Sequence, residues 1–290
     1  MMEIKIKAPA KINLTLEVLN KRNDGYHEVA TVMQAVDLYD IITVSDNDSG
    51  KVTISCNYEG VPCDDRNICA KMAYRYFEYC KMDVQGVHID IDKKIPTQAG
   101  LAGGSTDGAA TLLGLNALFK TILKPSELHQ IAEKVGADVP FCLEGGTKLA
   151  TGIGTKLKKL PNFHCSSIVI CKPDTVSVST AEAYQKVDAL NPHPSYTDEM
   201  IKALYSHDMF MISTTLFNDF ELALAIPEVI EIKKTMLKEK ARGAGMSGSG
   251  SAVFALFTSD RRAKKCYDAL KEKYNETFIC KPIKDGCKVE

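Results

Sequence analysis

Residues 96–106, PTQAGLAGGST, are rich in small side chains and could bind an anion through the backbone. Glycine lets amide groups turn toward one point and lets a phosphate group approach closely. The segment follows a strand-like run and precedes a predicted helix over 106–120, whose first amide groups and positive dipole end attract phosphate. The hydroxyls of Ser105 and Thr106 can bond phosphate oxygens or a metal. The open alternative is a structural turn or linker, in which Asp107 only suits the helix dipole.

Three other phosphate-binding patterns do not fit the chain. A Walker loop requires GxxxxGK followed by Ser or Thr, and no Gly-Lys-Ser or Gly-Lys-Thr occurs. The Rossmann pattern GxGxxG occurs at 243–248, but a predicted helix precedes it and a predicted strand follows, which is the reverse of the required order. A protein-kinase loop would need VAIK, HRD and DFG strings, which are absent.

Hydrophobic periodicity predicts the elements that must position this segment. Residues 1–60 alternate and are expected to be mostly β-structure, and residues 67–80 are expected to form a helix. One strand face is expected to carry four apolar residues: Ile12, Leu14, Leu16 and Val18. Lys11 and Asn13 are out of phase with them and share the opposite face. An Asp-Gly pair within 22–26 predicts a turn.

The second half of the chain has a different pattern. Residues 144–157 are rich in turn-forming glycine, and the domain boundary is expected there. The pattern then predicts a strand, helices between 180 and 224, and a helix–strand–helix–strand ending. That ending favours an α+β arrangement with helices on one face of a sheet. We therefore predict two domains, residues 1–156 and 157–290.

Composition and charge exclude several classes of protein. The chain has 290 residues, is 45% apolar and 25% charged, and has a net charge of −1. These values are typical of a globular protein and provide no overall field for nucleic acid or anionic membranes. The ten cysteines form no CxxC pair and the histidines are not at zinc-finger spacing, so reduced thiols are expected. With no signal peptide and no apolar run of about 20 residues, we expect a cytoplasmic protein whose partners are small molecules, without nucleic acid or membrane.

Three segments, in the same order, resemble the motifs of the GHMP kinases: PAKINLTL at 9–16, PTQAGLAGGSTDGAA at 96–110 and GAGMSGSGSAVFAL at 243–256. The family is named after galactokinase, homoserine kinase, mevalonate kinase and phosphomevalonate kinase. The resemblance covers essentially the whole chain. It implies an α+β, two-domain GHMP kinase fold, with an N-terminal β/α domain, a C-terminal ferredoxin-like domain and an active site between them. It also implies ATP as phosphoryl donor with Mg²⁺ bound to the nucleotide, while the metal ligands stay unassigned.

Further segments resemble one branch of the family, whose acceptor is a cytidyl diphosphate sugar-alcohol in the non-mevalonate route to isoprenoid precursors. These segments are RNDGYHE at 22–28, GADVPF at 136–141 and VSTAEAY at 178–184. The position of Lys11 is not a lysine in homoserine kinases, which disfavours that branch. Two departures from the pattern are mild: Thr106 replaces a commoner serine, so a hydroxyl survives, and Gly108 replaces a commoner alanine at some cost in helix propensity.

The resemblance assigns two catalytic residues. Asp138 is the candidate base, because a carboxylate among Ala, Val, Pro and Phe is expected to be partly removed from water, which favours proton acceptance. Its alternative role is a cap between helix and strand. Lys11 would hold that carboxylate ionised and bind charge on the transferred group. Its alternative is an ordinary solvated lysine.

The same resemblance implies the binding residues. Those for ATP are Pro96, Thr97, Gln98, Ala99, Gly100, Leu101, Ala102, Gly103, Gly104, Ser105 and Thr106. Those for the acceptor are Asn13, Tyr26, His27, Thr180 and Tyr184. Asn13 would contact the polyol or a phosphate, and an aromatic ring and an imidazole would stack on cytosine and bond its edge. Without the resemblance, Tyr26 and His27 are ordinary turn residues. Residues 247–250 would support the phosphate loop, and Asn67 and Lys94 are candidates for the adenine pocket.

Two rival functions stay open at this point. One is another small-molecule kinase of the same family, such as a mevalonate-type or sugar-1-kinase. The other is a nucleotide-binding regulator that retains the fold without turnover. The presence of both Lys11 and Asp138 argues against the regulator.

Overall fold

Two long antiparallel strands, β1 (Glu3–Lys21) and β2 (His27–Asp46), organise the first of two sheets. A computed structural model of the chain describes residues 2–174, 176, 178, 180–190 and 193–290, apart from the side chains of 180 and 181. Three register shifts bend the pair, between Pro9 and Ala10, Asn13 and Thr15, and Val18 and Lys21. Such bulges let one long strand change direction without breaking its ladder.

The bulge after Asn13 corrects one expectation from the sequence. Ile12, Leu14, Leu16 and Val18 were expected on a single face, and this is wrong. Ile12 and Leu14 pack in the core between the two sheets, whereas Leu16 joins a different cluster and lines the central cavity. The extra residue at a bulge reverses the alternation of side chains along the strand.

The remaining strands of the first sheet come from both halves of the chain. They are β3 (Val52–Cys56), β4 (Val87–Asp92), β5 (Thr147–Gly152), β6 (Lys156–Lys159), β8 (Phe217–Asn218) and β12 (Lys288–Val289). The order is β12–β1–β2–β4–β3, with β5 beside β2, β6 beside β5 and β8 beside β1. The two halves of β2 therefore pair with different strands, β5 and β4, on the edge away from β1.

Four helices follow from the first half of the chain: α1 (Ile68–Cys80), α2 (Gly103–Leu118), α3 (Pro125–Ala132) and α4 (Val139–Glu144). Their apolar faces pack with β1, β2 and β4 in one core. Gly114 lets α2 approach this sheet closely, because a Cβ atom there would lie 2.6 Å from the side chain of Val44. The predicted helix 67–80 is found, and α2 begins before the predicted residue 106.

The second sheet has the order β11–β7–β10–β9 and is antiparallel throughout. Its strands are β7 (Ser167–Lys172), β9 (Gly243–Met246), β10 (Val253–Phe257) and β11 (Glu276–Cys280). The helices of this half are α5 (Thr180–Val187), α6 (Tyr196–Ser206), α7 (Met209–Thr214), α8 (Asp219–Leu224), α9 (Pro227–Lys238) and α10 (Asp260–Lys271).

Strand β10 illustrates how the layers meet. Val253, Ala255 and Phe257 pack against α9 and α10, while Phe254 and Leu256 pack against residues of the first sheet. One face of β10 thus packs against the first domain and the other face packs against the outer helices, because successive side chains of a strand point to opposite sides. The chain changes from the first sheet to the second between Lys159 and Ser167. The division into 1–156 and 157–290 falls within β6, just before this change, and it stays a prediction.

All ten cysteines lie in the described part of the chain, and each is a free thiol. Among the described residues, no helix has both the length and the apolar composition needed to cross a bilayer.

Candidate active site

A cavity of about 630 Å³ lies between the two domains. The first domain contributes β1, the segment 96–105 and the start of α4, and the second contributes residues 248–250 and α5. This volume suits a small organic ligand. The glycine-rich segments 96–105 and 247–250 are in contact at the edge of this cavity. Their backbones are so close that a Cβ atom on Gly100 would lie 1.9 Å from the carbonyl oxygen of Ser247. Only glycine permits this approach, and Gly100 also has a φ of +72°.

The segment 96–102 presents the first turn of α2 to the cavity. Gln98, Gly100 and Ala102 all have left-handed backbone conformations, which turn the chain sharply into the helix. Ala102 occupies the N-cap position and provides no side-chain hydrogen bond to the helix. The Thr106 N–H bonds to the Ala102 carbonyl at 2.9 Å, so the amides before it project from the helix end. Amide groups in this position are available to an anion.

Residues 96–105 all line the cavity, but the side chain of Thr106 does not. Thr106 is fully buried, and its hydroxyl lies 3.4 Å from Cys287 Sγ. This hydroxyl was expected to be able to bond a phosphate oxygen or a metal, but in the structure it lies inside the protein. The reason is that α2 begins at Gly103, which turns position 106 to the inner face of the first helical turn.

Lys11 reaches the cavity from β1 although its side chain is only 4% exposed. Its Nζ donates to Asn13 Oδ1 at 2.6 Å and to the Gly100 carbonyl at 2.9 Å. It also lies 3.7 Å from Asp138 Oδ2. A buried ammonium group with these partners is not a solvated surface lysine. It places a fixed positive charge between the glycine-rich segment and the Asp138 carboxylate.

Asp138 precedes α4 at its N-cap position, yet its side chain makes no capping hydrogen bond. The side chain is 31% exposed and lines the cavity. The structure therefore does not use the carboxylate as a helix cap, which was the alternative role. A carboxylate that does not cap its helix and lies beside a fixed cation can accept a proton from a bound ligand.

Asn13 and Ser247 connect the lysine to the second domain. Asn13 Nδ2 donates to Thr31 Oγ1 at 2.8 Å, which orients the amide so that its oxygen accepts from Lys11. Ser247 Oγ donates to the Gly100 carbonyl at 2.9 Å and accepts from the Asn13 N–H at 3.3 Å. As predicted for residues 247–250, this part of the second domain packs against the glycine-rich segment.

A buried ion cluster, which sequence reasoning missed, lies beneath the same helix end. Lys93 Nζ bonds to Asp40 and, at 2.8 Å, to Asp107 Oδ2, and all three side chains are at least nine-tenths buried. Burial raises the pKa of Asp107 well above its ordinary value, and Asp40 adds to this while Lys93 opposes it. Burial opposes charge on Lys93, but the two carboxylates outweigh it and raise the pKa of Lys93. The only sequence signal was a lysine directly after β4 and directly before residues 94–102.

The aromatic end of the cavity is formed by Tyr184 and Phe220. Their rings meet edge to face with centroids 4.9 Å apart. The ring of His27 stacks on the ring of Tyr184 at 4.7 Å, and His27 Nε2 donates to Asp188 Oδ1 at 2.8 Å. This hydrogen bond lowers the pKa of Asp188. Sequence reasoning missed Phe220 and Asp188, since neither lies in a segment that resembles the family motifs.

The other predicted residues lie in different surroundings. Tyr26 is 62% exposed and, like His27, does not line the cavity. Thr180 begins α5, and its side chain lies outside the described residues. Asn67 lines the cavity and caps α1 by accepting from the Cys69 N–H at 2.8 Å. Lys94 is exposed and away from the lining.

Comparisons with known proteins agree with the motifs. The family model for the GHMP kinases N terminal domain matches residues 67–146, and the model for GHMP kinases C terminal matches 199–276. The 4-diphosphocytidyl-2-C-methyl-D-erythritol kinase of Thermoanaerobacter pseudethanolicus is 42% identical, covering 99% of this chain and 98% of that protein. The enzyme of the same name from Alkaliphilus metalliredigens is 41% identical, covering 96% of each chain.

Solved structures give the same result for the fold. A crystal structure of a 4-(cytidine 5'-diphospho)-2C-methyl-D-erythritol kinase matches with a TM-score of 0.79 and 32% identity, covering 97% of this chain and 99% of that one. A homoserine kinase from Cytophaga hutchinsonii also has a TM-score of 0.79, at 24% identity, covering 99% and 97%. That second likeness concerns the fold alone. The predicted family and α+β, two-domain fold class are confirmed.

Proposed function

Since the chain belongs to the GHMP kinases, and within them to the 4-diphosphocytidyl-2-C-methyl-D-erythritol kinases, we propose that it phosphorylates the 2-hydroxyl of 4-diphosphocytidyl-2-C-methyl-D-erythritol. ATP is the phosphoryl donor, and the reaction belongs to the non-mevalonate route to isoprenoid precursors. One observation carries the proposal: a single cavity combines the uncapped start of α2, the buried Lys11 and the Asp138 carboxylate, which does not cap its own helix.

The nucleotide phosphates are held at the start of α2. The first amides of the helix donate to phosphate oxygens, and the dipole of the 16-residue helix favours negative charge there. Gly103 and Gly104 keep this surface free of side chains. Lys11 donates a hydrogen bond to the Gly100 carbonyl. Its positive charge stabilises the negative charge that develops on the transferred phosphoryl group.

Asp138 provides the path for the proton. The acceptor hydroxyl oxygen bonds to the γ-phosphorus, the bond from that phosphorus to the bridging oxygen breaks, and ADP leaves with the bonding electrons. The hydroxyl proton passes to the Asp138 carboxylate and later to solvent. The Lys11 ammonium group lies 3.7 Å from this carboxylate and offsets negative charge between the carboxylate and the phosphoryl group. Positioning and electrostatics thus provide most of the acceleration, as expected for phosphoryl transfer.

We place the cytidine end of the acceptor against Tyr184 and Phe220. Both rings line the cavity. An aromatic ring can stack on the flat face of a nucleic acid base without any hydrogen bond to the base. His27 packs behind Tyr184 and supports it. Asn13 faces the polyol from β1. Tyr26 and Thr180 stay predicted contacts of the acceptor.

We propose that Mg²⁺ enters with the nucleotide. Within the described residues, no group of three or more His, Cys, Asp or Glu side chains could hold a metal ion by itself. Oxygen donors are nevertheless present at the helix end: the Ser105 hydroxyl, the Asp138 carboxylate and Asp107 Oδ1, a buried oxygen without a hydrogen-bond partner in the described part of the chain. These residues suit a hard cation whose main ligands are phosphate oxygens. When bound, the ion would neutralise phosphate charge.

We further propose that the enzyme acts in the cytoplasm on small molecules alone. Ten free thiols are compatible with a reducing compartment. The test of the function is ADP release from ATP with the cytidyl acceptor, with homoserine, with mevalonate and with no acceptor. Activity confined to the cytidyl acceptor, inhibited by CDP, supports the proposal. Preference for homoserine or mevalonate would refute it, as would release of ADP that no acceptor stimulates.

A further inference from the structure

The last residues of the chain leave the second domain and return to the first. Strand β12 pairs with β1 at Ile6 and Lys7. Before it, the Ile283 N–H donates to the Ala35 carbonyl and the Ile283 carbonyl accepts from Gln34 Nε2, both at 2.9 Å. We call residues 281–290 the C-terminal tail. It is anchored on both sides of the short segment 285–287.

This segment lies against the end of α4. The Cys287 N–H donates to the Cys142 carbonyl at 2.8 Å. The Cys142 N–H in turn bonds to the Asp138 carbonyl at 3.1 Å, as the first hydrogen bond of α4. The tail is therefore joined through one helical turn to the residue that carries the catalytic carboxylate. Because α4 has six residues and is about 9 Å long, a displacement of its end moves its start.

The same segment touches the phosphate-binding helix. Cys287 Sγ donates to the Thr106 carbonyl at 3.5 Å and lies 3.4 Å from the Thr106 hydroxyl. One residue thus contacts the first turn of α2 and the body of α4 from behind the cavity. Burial raises the pKa of Cys287 to about 12, so the thiol stays protonated and contributes packing, with no nucleophilic chemistry.

Gly286 allows the close approach. A Cβ atom on Gly286 would lie 2.4 Å from the Leu143 carbonyl oxygen and 2.5 Å from that of Cys142. On the facing side, a Cβ atom on Gly145 would lie 2.2 Å from the backbone of Asp285. Backbone packs directly on backbone here, so neither element can yield by rotating a side chain.

From these contacts we propose that Gly286 and Cys287 are positioning residues, which set the distance between the Asp138 carboxylate and the phosphates held at α2. The inference rests on the proposed kinase function for its kinetic consequences. The tail makes no contact with the ligand cavity, and its effect passes through α4.

The test uses full-length variants in matched pairs. Gly286→Ala adds a methyl group between the tail and α4, while Glu290→Gln weakens the exposed ion pair with Lys7, 2.9 Å long, on the same tail. Cys287→Ala removes a buried sulfur beside α2 and α4, while Cys280→Ala removes a buried sulfur at the end of β11. For Gly286→Ala and Cys287→Ala we expect kcat to fall at least about ten-fold, with the Kd of ATP changed less than about three-fold. The two controls keep kcat near that of the unmodified chain.

Two further measurements separate positioning from loss of structure. In an Asp138→Asn background, Gly286→Ala should lower kcat little further, because its effect acts through Asp138. Equal losses in both backgrounds, or a loss in Cys280→Ala as large as in Cys287→Ala, would overturn the proposal. A crystal structure of Gly286→Ala should show the distance from Lys11 Nζ to Asp138 Oδ2 increased beyond 3.7 Å, and an unchanged distance would also overturn it. This distance decides the matter even if the unmodified chain fails to phosphorylate the cytidyl acceptor, a result that would refute only the proposed function.

Discussion

Lys11 Nζ lies 3.7 Å from Asp138 Oδ2, while its two shorter contacts are with uncharged acceptors, the Asn13 amide oxygen and the Gly100 carbonyl. The lysine is thus fixed by its surroundings, and the carboxylate is influenced by its charge without being bound to it. In the proposed reaction, Asp138 accepts the hydroxyl proton and Lys11 stabilises charge on the transferred group.

The first prediction concerns this pair. Asp138→Asn should lower kcat at least about 100-fold, because an amide preserves shape but cannot accept the proton. Lys11→Ala should also lower kcat, through lost charge stabilisation. The double variant should be little worse than the worse single one, since residues that act together are not additive. Steady-state kinetics and calorimetric ATP binding provide the check. An active Asp138→Asn variant would show that positioning alone carries the reaction.

The second prediction tests the phosphate site at Gly104. Among the residues that the structure describes, a Cβ atom there meets only Ile68, at 3.8 Å, so alanine fits the protein and projects where phosphate is expected. Gly104→Ala should raise the KM for ATP at least about ten-fold, because close backbone approach is lost. At Gly103 a Cβ atom would instead lie 2.9 Å from Lys93 Nζ. A Gly103 variant could therefore lose ATP binding through damage to the buried ion cluster, so it does not test the phosphate site alone.

The matched control for Gly104→Ala is Gly108→Ala, further along the same helix and away from the cavity lining. Both changes favour the helix by up to about 1 kcal/mol, so neither should lower the melting temperature greatly. Equal KM values for ATP in the two variants would contradict the placement of the phosphate site at the start of α2.

The third prediction concerns the aromatic end of the cavity. Tyr184→Ala should weaken CDP binding by about 1–3 kcal/mol, by analogy with bases stacked on aromatic residues, and leave ATP binding unchanged. His27→Ala should weaken it in the same direction, because the His27 ring supports Tyr184 from behind. The control is Tyr205→Ala, an exposed tyrosine on α6 outside the cavity lining. If calorimetry shows undiminished CDP binding by Tyr184→Ala, the cytidine does not stack on Tyr184 and this part of the proposal is wrong.

The fourth prediction concerns stability and pH at Asp107. Its pKa in the folded protein is raised above the ordinary value of 3.8, mainly by burial, so the folded state binds this proton more tightly than the unfolded state does. Stability from this group is present at pH values below 3.8 and is lost as the pH rises through the folded pKa. Asp107→Asn resembles the neutral form at every pH. It should therefore melt above the unmodified protein near pH 8, on the order of 2 °C, with a gain that shrinks on acidification.

Asp40→Asn is the opposite control, because Asp40 Oδ1 accepts the N–H groups of Lys94 and Ile95 at 2.6 and 2.8 Å. Both variants leave Lys93 with a single carboxylate, but only Asp40→Asn also weakens two backbone hydrogen bonds, so this variant should melt lower. Thermal unfolding followed by circular dichroism between pH 5 and about pH 8 measures both. A pH-independent difference for Asp107→Asn would contradict the assigned shift.

Local patterns in the sequence were sufficient for most elements. Alternation predicted strands, a helical period predicted α1, and the small residues of 96–106 predicted a turn into a helix, because these features depend on neighbours along the chain. Phosphate binding at this helix end stays a prediction. The family motifs added Lys11 and Asp138 as a pair, without any measure of their separation.

The tertiary structure alone decided the features that depend on contacts between distant segments. The bulge after Asn13 moved Leu16 into the cavity, and the early start of α2 turned the Thr106 hydroxyl away from it. The burial of Lys93 between two carboxylates and the packing of Cys287 behind α4 depend on residues that are far apart in the sequence. The periodicity of a sequence shows which face of a helix or strand is apolar. Which group a buried polar side chain bonds to, and which backbone a glycine packs against, depend on how the sheets and helices pack together.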